Sequence, residues 1–141
     1  MKTILAGLAG AMLATIVALP AAAADIPNLV GTWKGPAKAV HIGPTPYRIP
    51  DGPGPTFGGD LEFTYVIKEQ QDGRFAGETE GKFTEQFLGA LQPPAYQSGV
   101  MVDSDGDYTF TLRDATTMDA CYRHVYPTSK VVACFTLTKQ P

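Results

Sequence analysis

Positive charge is scarce in this chain, with 11 Lys+Arg against 14 Asp+Glu over 141 residues. No basic face can be assembled from that balance, which argues against nucleic acid or an anionic membrane surface as the partner. Histidine and cysteine occur twice each and tryptophan once. There is no Gly-x-Ser-x-Gly elbow and no phosphate-cradling loop, and both cysteines are accounted for by a bridge, so the common hydrolase and nucleotide-binding routes lack their residues. Beyond residue 24 no stretch carries apolar residues at helical spacing, which excludes a helical bundle. The longest apolar run, Ile4 to Leu19, is about sixteen residues, short of the roughly twenty that span a bilayer.

That run has Lys2 before it and Pro20 with the alanines 21–24 after it, the pattern of a cleavable signal peptide over 1–24. No cysteine lies near the cleavage site to carry a lipid, so the expected product is secreted or periplasmic, with no membrane span. Removing Lys2 leaves 10 cations against 14 anions, a net charge of −4. Residues 25–141 suffice for one domain with its own core. Cys121 and Cys134 enter a compartment in which disulfides form, and one structural bridge is the default expectation.

Short alternating runs bounded by Gly and Pro recur every eight to twelve residues, the signature of an all-β barrel or sandwich. The first, 29–42, places Trp33, Ala37, Ala39 and His41 on one face. A loop over 43–60 follows, with five prolines and five glycines; a loop of that length is a lid, a binding loop or disordered. Over 61–70, Leu61, Phe63, Tyr65 and Ile67 alternate with polar residues and point inward.

Gln71-Asp72-Gly73 reads as a three-residue hairpin with glycine in the left-handed position, pairing Gln70 with Arg74 and Ile67 with Gly77. A two-residue Asp-Gly turn would bury Glu78 at a cost of several kcal/mol and expose Phe75, forfeiting about 2 kcal/mol. The three-residue form keeps Phe75 and Thr79 inside. Over 82–91, Phe83, Glu85, Phe87 and Leu91 fall in phase. Over 96–103, Ser98, Val100 and Val102 are expected inward, and a second three-residue loop, 104–106, would pair Val102 with Tyr108 and Val100 with Phe110. The last two runs, 118–125 and 130–139, flank Tyr126-Pro127-Thr128-Ser129. If that turn is centred between Pro127 and Thr128, facing residues have numbers that sum to 255, as 121 and 134 do. The cysteines are then direct cross-strand neighbours on the outer face, within reach of a disulfide.

Eight such strands joined mostly by hairpins bury their apolar faces best by closing into an antiparallel up-and-down β-barrel, which also removes both edges. A β-sandwich is the alternative. The interior of an eight-stranded barrel is filled by side chains or holds one small ligand.

Gly31-Thr32-Trp33 at the head of the first strand resembles the Gly-x-Trp signature of the calycins, the lipocalins and avidins. The resemblance implies an eight-stranded barrel whose closed end is sealed by Trp33. Avidins hold biotin between several tryptophans, whereas Trp33 stands alone here. Lipocalins add a helix after the barrel, and this sequence stops at Pro141 after the eighth strand, so it looks closer to the avidin-like proteins.

Tracing the meander sets His41 and His124 on the looped rim. With a carboxylate from Asp51 or Asp60 they could bind a metal or perform acid/base chemistry, against the plainer reading as ordinary rim histidines. Glu85 on the inner face is either a ligand contact or a residue that a bulge turns outward, the latter being preferred; Thr79 and Ser98 are its candidate partners. Asp103 to Asp107 superficially resembles a calcium loop, but its glycine is fourth rather than sixth and Asp114 stands where a bidentate glutamate is needed. No cofactor and no metal site is expected.

The leading expectation is a non-enzymatic barrel holding a small, mostly apolar molecule lined by Tyr65, Phe83, Phe87, Phe110 and Tyr122, with Thr79, Glu85, Ser98 and His124 as polar contacts. A second is a protein-binding module, similar to secreted calycin-like inhibitors, presenting Tyr47, Arg48, Ile49 and Phe57 from the long loop. A third is a barrel enzyme using the rim histidines and Glu85.

Overall fold

The computed structural model describes residues 25–141; the expected signal peptide lies outside the described residues. Nine strands follow one another: β1 (Gly31–Ile42), β2 (Thr56–Phe57), β3 (Leu61–Gln71), β4 (Arg74–Glu80), β5 (Gln86–Leu91), β6 (Ser98–Val102), β7 (Asp107–Leu112), β8 (Thr117–Val125) and β9 (Lys130–Lys139). From β3 to β9 each strand pairs antiparallel with the next, and β1 pairs with both β3 and β9, closing an eight-stranded barrel. The short β2 is added beside the far end of β1, with Val40 opposite Phe57. No helix among the described residues is long and apolar enough to cross a membrane.

Alternation along the strands sets the interior. Trp33, Tyr65, Ile67, Phe75, Phe87, Leu91, Tyr108, Phe110, Met118 and Leu137 are buried, and each occupies an inward position in its strand, as a period-two pattern demands. Close approach of β1 to β9 depends on Gly35, where a Cβ would stand 2.0 Å from the carbonyl oxygen of Thr136.

The last hairpin has the expected register: Cys121 faces Cys134, Tyr122 faces Ala133 and Ala120 faces Phe135. Cys121 and Cys134 are joined, with their Cα atoms 4.1 Å apart, and the bridge sits on the outer face.

Two other hairpins differ from expectation. The β3–β4 turn has two residues, with Gln71 opposite Arg74, and its left-handed residue is Asp72 (φ 55°) rather than Gly73. A bulge between Ile67 and Glu69 then restores Ile67 to Gly77. The demand that Phe75 be buried is met, but by an extra residue in β3 instead of in the turn. In the β6–β7 hairpin Val102 faces Asp107 and Met101 faces Tyr108, one position out from the expected pairing. The loop contains four residues because the Asp103 carboxylate closes it, its Oδ1 accepting from the backbone N–H groups of Asp105 (3.1 Å) and Gly106 (2.7 Å). Gly99 and Met101 therefore point inward, while Val100 is 54% exposed and Met101 only 2%. Glycine fits at position 99 because the Phe110 ring fills the space a side chain would take; a Cβ there would lie 2.5 Å from the ring's Cζ.

Candidate functional site

The two ends of the barrel are packed differently. At the end where β1 begins and β9 finishes, Trp33, Ile67, Phe87, Met101, Met118 and Leu137 meet beneath Tyr65 and leave a cavity of about 0 Å³. The Trp33 indole N–H donates to the carbonyl of Leu29 at 2.9 Å, and Leu29 is itself held by Gln70. Phe87 and Phe110 belong to this solid half. Phe110 stacks edge-on against Phe75 at 5.9 Å.

The looped end is hollow. A cup of about 60 Å³ is bounded by Ala37, Ala39 and Ala133, by the rings of Phe63, Tyr65, Tyr108, Tyr122 and Phe135, and by Thr45 to Arg48 as a roof. The three alanines create the space: they stand on inward positions of β1 and β9 where neighbouring layers carry Trp33, Phe135 and Leu137. A water needs about 10–15 Å³ on this measure, so the cup has room for a few heavy atoms.

Its polar lining comes from hydroxyls bonded to carboxylates. Tyr65 donates to the Tyr108 hydroxyl (3.4 Å), Tyr108 to Asp103 Oδ2 (2.6 Å) and Tyr122 to Asp105 Oδ1 (2.7 Å). Tyr47 and Ser104 donate to the two oxygens of Glu85, at 3.3 and 3.0 Å. Burial, the largest cause, raises the pKa of all four phenols, and nearby carboxylates add to it; Tyr47 is pushed up to about 12. At neutral pH the tyrosines are therefore hydrogen-bond donors and not bases.

Glu85, Asp103 and Asp105 bring carboxylate oxygens within 4.8 Å of one another, the one such group among the described residues. Oxygen ligands of this kind suit Ca²⁺ or Mg²⁺, but each carboxylate already accepts from a tyrosine. Glu85 lies just ahead of β5. Its backbone N–H donates to Thr79 Oγ1 and its carbonyl accepts from the Thr79 N–H, which aims the carboxylate into the mouth. The preferred outward bulge is absent, and Thr79 serves the Glu85 backbone instead of its carboxylate. Ser98, the other candidate partner, is on the outer face at the far end of β6, opposite Thr111.

His41 and His124 both face Val131, one from each neighbouring strand, and both are buried. No group of closely set metal-ligand atoms among the described residues joins either histidine to Asp51 or Asp60: Asp60 is paired with Lys38 at 3.8 Å, and the Asp51 N–H donates to Oγ1 of Thr56, the residue opposite His41. His124 instead has Asp105 Oδ2 3.4 Å from Nδ1 and Ser129 Oγ 2.8 Å from Nε2. That order, carboxylate to imidazole to hydroxyl, is the order of an acyl-transfer triad. Ser129, however, is only 7% exposed and takes no part in the cup wall. It closes the 126–129 turn, where the Tyr126 N–H donates to its carbonyl at 2.8 Å, so the trio pins that turn to the Asp103 loop. Sequence reasoning misses Ser129 because nothing local to a Pro-Thr-Ser turn points at a histidine five residues back.

The long loop divides its four singled-out residues. Tyr47 and Arg48 turn inward, Arg48 donating to the carbonyls of Ala37 (3.1 Å) and Gly59 (2.7 Å). Ile49 and Phe57 turn outward, 87% and 82% exposed. Of the expected ligand contacts, Tyr65, Thr79, Glu85, Tyr122 and His124 line the cup; Phe83 stands outside it, against Tyr47.

The fold and site define a closed antiparallel barrel with one sealed and one hollow end. No protein-family model, curated protein or solved structure matches the chain.

Proposed function

We propose that the chain is a secreted or periplasmic, calycin-like, non-enzymatic barrel that holds one small, mostly apolar molecule in the cup at its looped end. The observation that carries this reading is the asymmetry of the interior: about 0 Å³ beside Trp33 and about 60 Å³ beneath the 43–60 loop. Small residues at Ala37, Ala39 and Ala133 keep a space open that larger side chains at the same inward positions would fill, at a cost in packing that a bound ligand offsets. The disulfide and the apolar leader with its alanine-rich end support an oxidising compartment. Negative net charge supports a partner other than nucleic acid.

Native mass spectrometry of protein recovered from its own host without unfolding tests the reading. A small adduct is expected on the native chain and its loss from Ala39→Trp, which fills the cup. A bare mass in both would overturn it.

A second reading, a protein-binding module, is favoured by one observation: Ile49 and Phe57 are almost fully exposed on the rim loop. Burial of such side chains supplies binding energy when a partner covers them. Pull-down with Ile49→Asp and Phe57→Asp separates it from the first, since neither substitution touches the cup.

A further inference from the structure

Beside the cup there is an aromatic slot already filled by the chain itself. The Tyr47 phenol lies edge-on to Phe63 (centroids 5.6 Å, 61°) and to Phe83 (5.4 Å, 88°), and its hydroxyl reaches Glu85. We propose that this slot is the recognition site for the ring of a free ligand, a planar aromatic carrying one O–H or N–H donor, which displaces Tyr47 and donates to Glu85. The inference rests on the cup reading above and names its ligand class.

Three features support it. First, Tyr47 is the most loosely held of the phenols bonded to a carboxylate, with 3.3 Å to Glu85 against 2.6 Å for Tyr108 and 2.7 Å for Tyr122; an O–H···O bond has its optimum near 2.7–2.8 Å. Secondly, the loop stays in place without it. Thr45 and Arg48 bond to each other, Arg48 holds two carbonyls, and Lys82 Nζ donates to the Pro46 carbonyl. Rotating one side chain about its own bonds therefore vacates the slot while the flanking residues remain anchored. Thirdly, Tyr47 is in the wall of two cavities, the cup of about 60 Å³ and a neighbour of about 70 Å³ reaching to Phe83. With the ring turned out they join into a cleft walled by Phe63 and Phe83, with Glu85 at its polar end.

The chemistry of the wall selects the class. Edge-to-face neighbours favour a flat π-system, and a carboxylate whose other oxygen is held by Ser104 accepts a donor but repels an anion. Asp103 and Asp105 nearby strengthen that repulsion, so the ligand is a neutral or cationic ring such as a phenol, an indole or an aromatic amine.

The test uses p-cresol, the tyrosine side chain freed from its backbone, with toluene as the same shape lacking the donor. Binding to the full mature chain is followed by amide chemical shifts. Wild type should bind p-cresol saturably, with shifts at Thr79 and Glu85. Tyr47→Ala should bind it at least tenfold more tightly because the internal competitor is gone, and Tyr47→Phe should fall between the two. Toluene should bind at least tenfold more weakly than p-cresol to each protein. Trp33 emission confirms that every variant is folded. Binding confined to Tyr47→Ala would make Tyr47 an ordinary wall residue whose loss leaves a hole, and equal binding of toluene would remove Glu85 from recognition; either result overturns the proposal. If host-derived protein carries a ligand in the cup while wild type ignores p-cresol, the slot proposal fails and the cup reading stands.

Discussion

Removing the bridge by Cys121→Ala with Cys134→Ala tests how much of the barrel depends on one covalent link. The closed loop spans 13 residues, for which the chain-entropy treatment gives about 3 kcal/mol of stabilisation through the unfolded state. That is an upper value here. The turn between β8 and β9 is short and the two strands are paired from Thr117 to Val125, so residual pairing in the unfolded chain lowers the benefit to about 1.5–3 kcal/mol. With an unfolding entropy of about 2.1 cal/mol/K per residue over the described chain, each kcal/mol shifts the midpoint by about 4 °C. The expected fall in melting temperature is therefore about 6–12 °C, measured by near-UV circular dichroism, with native signal retained at 25 °C. Because the bridge lies on the outer face, the cup should be unchanged. A shift below about 2 °C would refute the unfolded-state reasoning, and loss of the folded baseline would show that β8 and β9 are not held by their own ladder.

Met101→Asp buries a carboxylate beside Phe87 and Met118 and should cost at least about 4 kcal/mol, whereas Val100→Asp on the outer face should cost under about 1 kcal/mol; urea unfolding of the pair checks the β6 register. Ser129→Ala leaves the buried Nε2 of His124 without its partner, and should cost about 1–3 kcal/mol in the same assay, while a fluorophosphonate probe should leave wild-type Ser129 unlabelled. The raised phenol pKa values contribute stability that is fully present below about pH 10 and is lost as pH rises through 10 towards 12 and above. Alkaline unfolding followed at about 295 nm should therefore release the absorbance of Tyr47, Tyr65, Tyr108 and Tyr122 together with the loss of tertiary signal, and not before it. Trp33, buried and bonded to Leu29, should emit as a shielded indole and shift to the red only on unfolding.

The part of the fold legible in the sequence is the part governed by short range and by single strong constraints. The spacing of Cys121 and Cys134 about one turn allows a single register, and Tyr122, Ala133 and Phe135 follow from it. The cost of exposing Phe75 places it inside, although the device that achieves this, an extra residue near Lys68, leaves no mark in a strand whose pattern is otherwise regular. Strand β6 is misphased in the sequence reading because Val100 and Val102 look like core residues and Gly99 does not. The deciding interaction is the Asp103 side chain closing its own loop, combined with the Phe110 ring occupying the space above Gly99. Topology alone brings the histidines to one end, and both flank Val131. The inward turn of Tyr47 and Arg48 is invisible in the sequence, since their partners Glu85, Ala37 and Gly59 are fixed only once the barrel has closed.

Occupancy of the cup at the looped end can be read from amide and methyl shifts of the labelled chain titrated with the small-molecule fraction of its own host. A ligand held there should give saturable shifts at Ala39, Tyr65, Tyr122 and Ala133, with Ile67, Met118 and Leu137 in the solid half unmoved. Shifts confined to Ile49 and Phe57, or none at any residue of the cup, would contradict it.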